Sequence, residues 1–218
     1  METAARERIA SFGAYYRGVV LKPRRTFDAL VEDPRRLRFG ALALGVTAIL
    51  YTLVYVFLFA GGAHPTTFAP WLAIPAEDYY RYNRFLLAPS IFLAWLTAGG
   101  VVQLLGHFVR GSGSFEDTLA VLGFGIAIPN LASLAHDLPV SFCGAIGVID
   151  AMQHEAAMNA PGPWRTLLWS SYSAYLVWFL VVFPKAVGAA QRVRALPALL
   201  LGVLGFVTYQ LIFMLFNR

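Results

Sequence analysis

Cysteine occurs once in the 218 residues, at Cys143. A single thiol forms no intrachain disulfide, and no Cys/His spacing suits zinc, so neither a disulfide framework nor a metal centre is expected. Charge is scarce too: Asp, Glu, Lys and Arg make up 13% of the chain, against 58% hydrophobic residues. A soluble domain carries about 25% charged residues. With a mean hydropathy of +0.62, that shortfall excludes a water-facing fold of this length.

Signatures of catalysis are missing as well. His154-Glu155 starts an H-E pair, but position 158 is Met, so the H-E-x-x-H zinc site is absent. No G-x-S-x-G nucleophile turn occurs. Gly123-Phe124-Gly125 lacks the third glycine of a dinucleotide loop and sits inside an apolar run. The chain therefore reads as non-enzymatic, with no cofactor. No apolar run precedes Phe39, so no cleavable signal peptide is expected. The net charge of +5 is concentrated near the N-terminus. It speaks for orientation and lipid contact rather than nucleic acid.

What the chain does have is long apolar runs. About 20 apolar residues cross the hydrocarbon of a bilayer, and five runs approach that length: 39–60, 85–109, 118–136, 166–187 and 198–216. The fold expected is an all-α, polytopic membrane bundle of five spans. In the first, Ala41 and Gly45 form a small-xxx-small pair suited to close helix approach. Residues 61–84 read as a loop whose Trp71, Tyr79, Tyr80 and Tyr82 suit an interfacial aromatic belt. Residues 138–152 are too short for a span, so 140–152 is expected to be re-entrant or interfacial.

Basic residues test the count. Residues 1–38 hold Arg6, Arg8, Arg17, Lys22, Arg24, Arg25, Arg35, Arg36 and Arg38. Five spans with the N-terminus inside place these with Arg110, Lys185, Arg192 and Arg194, leaving only Arg81, Arg84, Arg165 and Arg218 outside. A sixth span would move the 185–194 cluster outside, against the positive-inside rule. Residues 1–38 read as a cytosolic basic segment and 39–218 as one transmembrane domain. Ile9, Phe12, Tyr16, Val19 and Val20 recur at helical spacing among the cations. A helix over 3–20 lying on an anionic leaflet is expected, with Arg17, Lys22, Arg24 and Arg25 as headgroup contacts; the alternative is an ordinary basic tail.

The chain is organised around Gly111 to Asn130. A Gly111-Ser112-Gly113 turn leads to Ser114 and Asp117, spaced as a capping box. Beyond it Gly123, Ala127, Asn130, Ser133 and Asp137 fall on one small or polar helix face. Pro129 frees carbonyls near Gly125 and Ile126, which need partners. Asn130, Ser133, His136 and Asp137 are the groups available, and with 140–152 they outline an outward-facing polar pocket for water, a cation or a lipid headgroup. The plainer alternative is that His136-Asp137 is the wet end of the span. At the other end, His107, Arg110, Glu116 and Asp117, with Gln103, form a cytosolic turn cluster that either binds or merely fixes helix ends.

Two stretches carry a family resemblance. LKPRRTFDALVEDP before the first span resembles the P-x-x-T-F motif of the Yip family, the Ypt/Rab-interacting-protein superfamily. HFVRGSGSFEDTLAVLGFGIAIPNL is similar to its central block, here Gly113, Ser114, Phe115, Thr118, Leu119 and Pro129. The resemblance implies five spans and a cytosolic N-terminus. Eukaryotic members act in early secretory membranes with small GTPases. The abundant Ala, Arg and Leu and the short tail look more like a prokaryotic member in the inner membrane. Two functions stand open: a membrane-organising scaffold, working on lipid, as a homo-oligomer or with other membrane proteins, or a channel or transporter for an ion or small solute using the polar site of the third span.

Overall fold

Lipid offers no hydrogen bonds to the backbone, so a chain this apolar must satisfy its peptide groups internally, and helices do so within one segment. The computed structural model describes residues 11–65 and 71–217. Among them the order is α1 (Phe12–Leu21), α2 (Pro23–Val31), α3 (Arg36–Ala60), α4 (Tyr79–Phe108), α5 (Phe115–Ala145), α6 (Ala151–Asn159), α7 (Pro163–Gln191) and α8 (Ala195–Phe216), with no strand. Five of these, α3, α4, α5, α7 and α8, are long and apolar enough to cross a membrane. They run alternately up and down. One end of the bundle gathers the starts of α3, α5 and α8 with α1 and α2; α6 lies at the opposite end.

The middle of the bundle is α5. In its most apolar stretch 83% of residues are buried, against 28–44% in the other four long helices. Every residue from Asp117 to Asn130 is buried, so α5 is enclosed on all sides there rather than along one small or polar face. The helix starts at the expected capping box: the Asp117 amide donates to Ser114 Oγ and the Ser114 amide to Asp117 Oδ2, both at 3.1 Å.

Glycine sets how closely α3 and α5 cross. A Cβ on Gly40 would lie 2.6 Å from Ala120 Cα, and one on Gly123 2.6 Å from the Gly40 carbonyl carbon. The expected close-approach pair of Ala41 and Gly45 is corrected here, since Gly45 faces open space. The contact slides to Gly40, one residue ahead of Ala41, because that is the face turned to α5. From α4, Trp95 donates its indole N–H to the Leu119 carbonyl at 3.0 Å. Phe179 and Phe183 of α7 and Phe206 and Tyr209 of α8 fill the other side as a ring cluster.

Three further boundaries differ from expectation. Residues 140–145 do not fold back; they continue α5 through Pro139, and only after a turn does α6 begin at Ala151. A proline removes one donor, whereas leaving the helix frees several. The loop expected to reach residue 84 ends earlier, with α4 starting at Tyr79. Tyr79 and Tyr80 are accordingly buried against Tyr55, with ring centroids 6.0 and 5.3 Å away. Of the expected aromatic belt, only Trp71 and Tyr82 are exposed. Asn83 ties this end to the C-terminus, donating to Tyr79 Oη at 2.8 Å and Asn217 Oδ1 at 3.0 Å.

The N-terminal helices use their apolar side on the protein. Phe12, Tyr15 and Tyr16 of α1 meet Phe124 of α5 at 5.8, 6.4 and 6.1 Å. Val19, Phe27 and Leu30 are fully buried. Of the helix expected over 3–20 the described part is α1, a single helix; the chain breaks at Lys22, just before Pro23, and α2 follows, while residues 1–10, with Arg6, Arg8 and Ile9, lie outside the described residues.

Candidate functional site

The polar side chains of α5 beyond Pro129 bond mainly to their own helix and its neighbours. Asn130 Nδ2 donates to the Ile126 carbonyl at 2.7 Å, beside the position that Pro129 deprives of a donor. Ser133 Oγ donates to the Asn130 carbonyl at 3.2 Å and also meets the Tyr51 hydroxyl of α3. Both residues are buried. One turn on, His136 Nδ1 lies 2.8 Å from Asp137 Oδ1. The four residues singled out on this span therefore share one end of α5, and three of them are buried.

The segment 140–152, expected to wall them, does not: its first part continues α5, and the cover comes from α6 and α7. α6 doubles back so that His154 meets His136, ring centroids 5.8 Å apart, and the start of α7 sets Trp164 edge-on to His154 at 4.7 Å. Glu155 is buried beside them. The Nε2 atoms of both histidines are buried without a protein hydrogen-bond partner. Burial pushes the His154 imidazole below its usual value, and neighbouring His136 adds to the drop; Glu155 and Asp137 oppose it. The only advance hint was the polarity of QHE in an otherwise apolar stretch. An open groove of about 720 Å³ lies farther along α7, lined by Arg165, Thr166, Trp169, Ser170 and Ser173 among others.

At the other end, the turn cluster separates into two groups. Glu116 and Asp117 pair with Arg36 of α3, at 3.4 and 2.5 Å. His107 and Arg110 stand exposed, Arg110 in the left-handed region at φ 61°. Gln103 is drawn elsewhere. Its Nε2 donates to the Gly113 carbonyl at 2.9 Å, and its Oε1 accepts from Thr118 Oγ1 at 2.9 Å and from Gln191 Nε2 at 2.8 Å. Gln191, fully buried at the end of α7, was not foreseen. A polar residue closing an apolar run ordinarily reads as its wet end, and no local pattern separates the two cases.

The four cations expected at headgroups, Arg17, Lys22, Arg24 and Arg25, are all exposed on α1, α2 and the joint between them. The two helices are pinned by Asp33, which accepts from the Tyr15 hydroxyl at 3.1 Å and from Arg35 Nη2 at 3.1 Å. Burial alone would raise the Asp33 carboxyl, but hydrogen bonds from Arg35 and Tyr15 outweigh it and hold it below the usual range. Burial, then the Asp33 charge, pushes the Tyr15 hydroxyl up to about 12.

Comparison with known proteins supplies a relationship. The family described as the Yip1 domain matches residues 17–216. An uncharacterised protein of the archaeon Methanocaldococcus jannaschii is 25% identical over 99 residues, covering 43% of this chain and 70% of that protein. No solved structure matches.

Proposed function

We propose, from the premise that this chain belongs to the Yip1 domain family, that it is a membrane-organising scaffold rather than an enzyme or a conduit. The observation that carries this reading is the enclosure of α5. The span best placed to line a path is buried on all sides from Asp117 to Asn130, and its Asn130 and Ser133 spend their hydrogen bonds inside the bundle. In lipid, polar groups so arranged hold helices together. The exposed cations of α1 and α2 would meet anionic headgroups of the inner leaflet, each contributing about 1 kcal/mol. In this reading the N-terminus is cytosolic, the membrane is a prokaryotic inner membrane, and the partners are lipid, further copies or other membrane proteins.

Ion or solute flux tests the reading. Wild-type protein in proteoliposomes should pass none of the ions or small solutes tried, and Asp137→Asn and His136→Ala should change nothing. Flux that Asp137→Asn abolishes would instead establish the channel or transporter reading. That second reading rests on one observation, the two buried imidazole nitrogens without partners near the end of α5.

Topology is checked separately. A reporter fused after Arg218 should register outside the cytosol, because five spans separate it from a cytosolic N-terminus. A cytosolic signal would overturn the orientation.

A further inference from the structure

Two imidazoles face each other where α5, α6 and α7 meet. His136 comes from α5 and His154 from α6, with Trp164 of α7 closing the stack. His136 is 7% exposed and His154 9%, and both Nε2 atoms lack a protein partner. Among the described residues, no three His, Cys, Asp or Glu side chains gather closely enough to hold a metal ion. Two facing imidazoles without a third ligand are suited to a proton.

We infer that the His136–His154–Trp164 stack is an acid-released latch holding α6 against the bundle. With both rings neutral, His136 can donate an Nδ1–H hydrogen bond to Asp137 Oδ1 at 2.8 Å, and His154 packs as an apolar plate between His136 and Trp164. Protonating both rings sets two positive charges a ring apart in a buried place. The charged and titratable groups around the pair are Asp137 on α5 and Glu155 on α6, with Tyr51 of α3 bonded to Ser133 one turn away. The loop after α3 brings His64, whose amide donates to Met152 Sδ of α6 at 3.2 Å. A proton on His154 is opposed first by desolvation and then by the neighbouring His136. Glu155 and Asp137 favour that proton but do not offset the two.

The direction follows from linkage. A histidine whose folded-state proton affinity is depressed contributes stability above its unfolded value, about pH 6.5, and loses it as pH falls. The helix most loosely held at this end should therefore loosen first. It meets the bundle through this stack, the His64–Met152 contact and the edge of α7, with Arg165 donating to the Asn159 carbonyl at 3.4 Å.

The test is amide hydrogen exchange of the full chain in nanodiscs between pH 7.5 and 5.5, corrected for the intrinsic rate. Protection over Ala151–Asn159 should fall about tenfold or more as pH drops below about 6.5, while α3 and the enclosed part of α5 stay unchanged. H154F keeps a ring against Trp164 but carries no titratable nitrogen, so α6 should remain protected at both pH values. H136F does the same from the other side and serves if H154F does not fold. H64Q should leave the response intact. The latch is overturned by pH-independent protection in the wild type, by a fall that persists in H154F and H136F, by loss of the response in H64Q, or by a fall spread evenly over all helices.

Discussion

Gly123→Leu should cost the folded state about 3 kcal/mol or more and lower the melting temperature in detergent by many degrees, the upper range for overpacking a core. The cause is backbone meeting backbone. A Cβ at Gly123 falls 2.6 Å from the Gly40 carbonyl carbon and 2.8 Å from its Cα, and helix backbone cannot rotate aside as a side chain can. Relief requires α3 and α5 to separate, which loosens α5 from its main neighbour. Gly123→Ala should therefore already be severe. Gly40→Ala should cost much the same, because its Cβ strikes Ala120 from the opposite side. The double variant should fall well short of the sum, since one separation relieves both clashes. Gly45→Ala is the matched control: it lies on the same helix, faces open space, and should be neutral or slightly stabilising. Equal melting of Gly123→Leu and the parent would show that the two helices do not cross as closely as described.

How much of this was legible in advance depends on the kind of constraint. The five spans were, because lipid forces each crossing to be a long apolar helix and the runs announce themselves. The central position of α5 was legible through Gly123, Ala127 and Asn130, residues too small or too polar to face lipid, and these are buried. Helix ends were not. Pro139 reads as a stop in water, where a broken helix is solvated; here the helix runs on to Ala145. Tyr79 and Tyr80 carry a hydroxyl on an apolar ring, equally suited to the interface and to a core, and only the fold decides for the core. The polar site was half legible. Asn130, Ser133, His136 and Asp137 share one helix, so spacing finds them. His154 reaches His136 from a separate helix across a turn, and no periodicity spans that gap. Gln191 is harder still, since its partners Gln103 and Thr118 lie on two other spans.

Gly113→Ala should be the second severe substitution, with a loss of about 3 kcal/mol. Its Cβ would lie 2.7 Å from the Ala190 carbonyl carbon and 3.2 Å from Gln191 Cα, so the α4–α5 turn would have to lift off the end of α7. The turn is held there from both sides. The Ser112 amide donates to the Gln191 carbonyl at 3.1 Å, and Gln103 donates to the Gly113 carbonyl at 2.9 Å. Lifting it breaks both bonds and pulls Thr118 from Gln191, which now lie 2.7 Å apart. Gln191→Leu attacks the same knot without touching the turn backbone. It removes the two bonds from Nε2, leaves Ser112 bonded to a backbone carbonyl, and should cost about 2 kcal/mol. Combined with Gly113→Ala it should add little, because a displaced turn has already given up those partners. The pair thus separates two accounts of the glycine. If it is there for loop flexibility alone, Gly113→Ala and Gln191→Leu should add independently. If it is there because only a bare Cα fits against Ala190, the two losses should overlap, and Gly113→Ala should melt lower than Gln191→Leu.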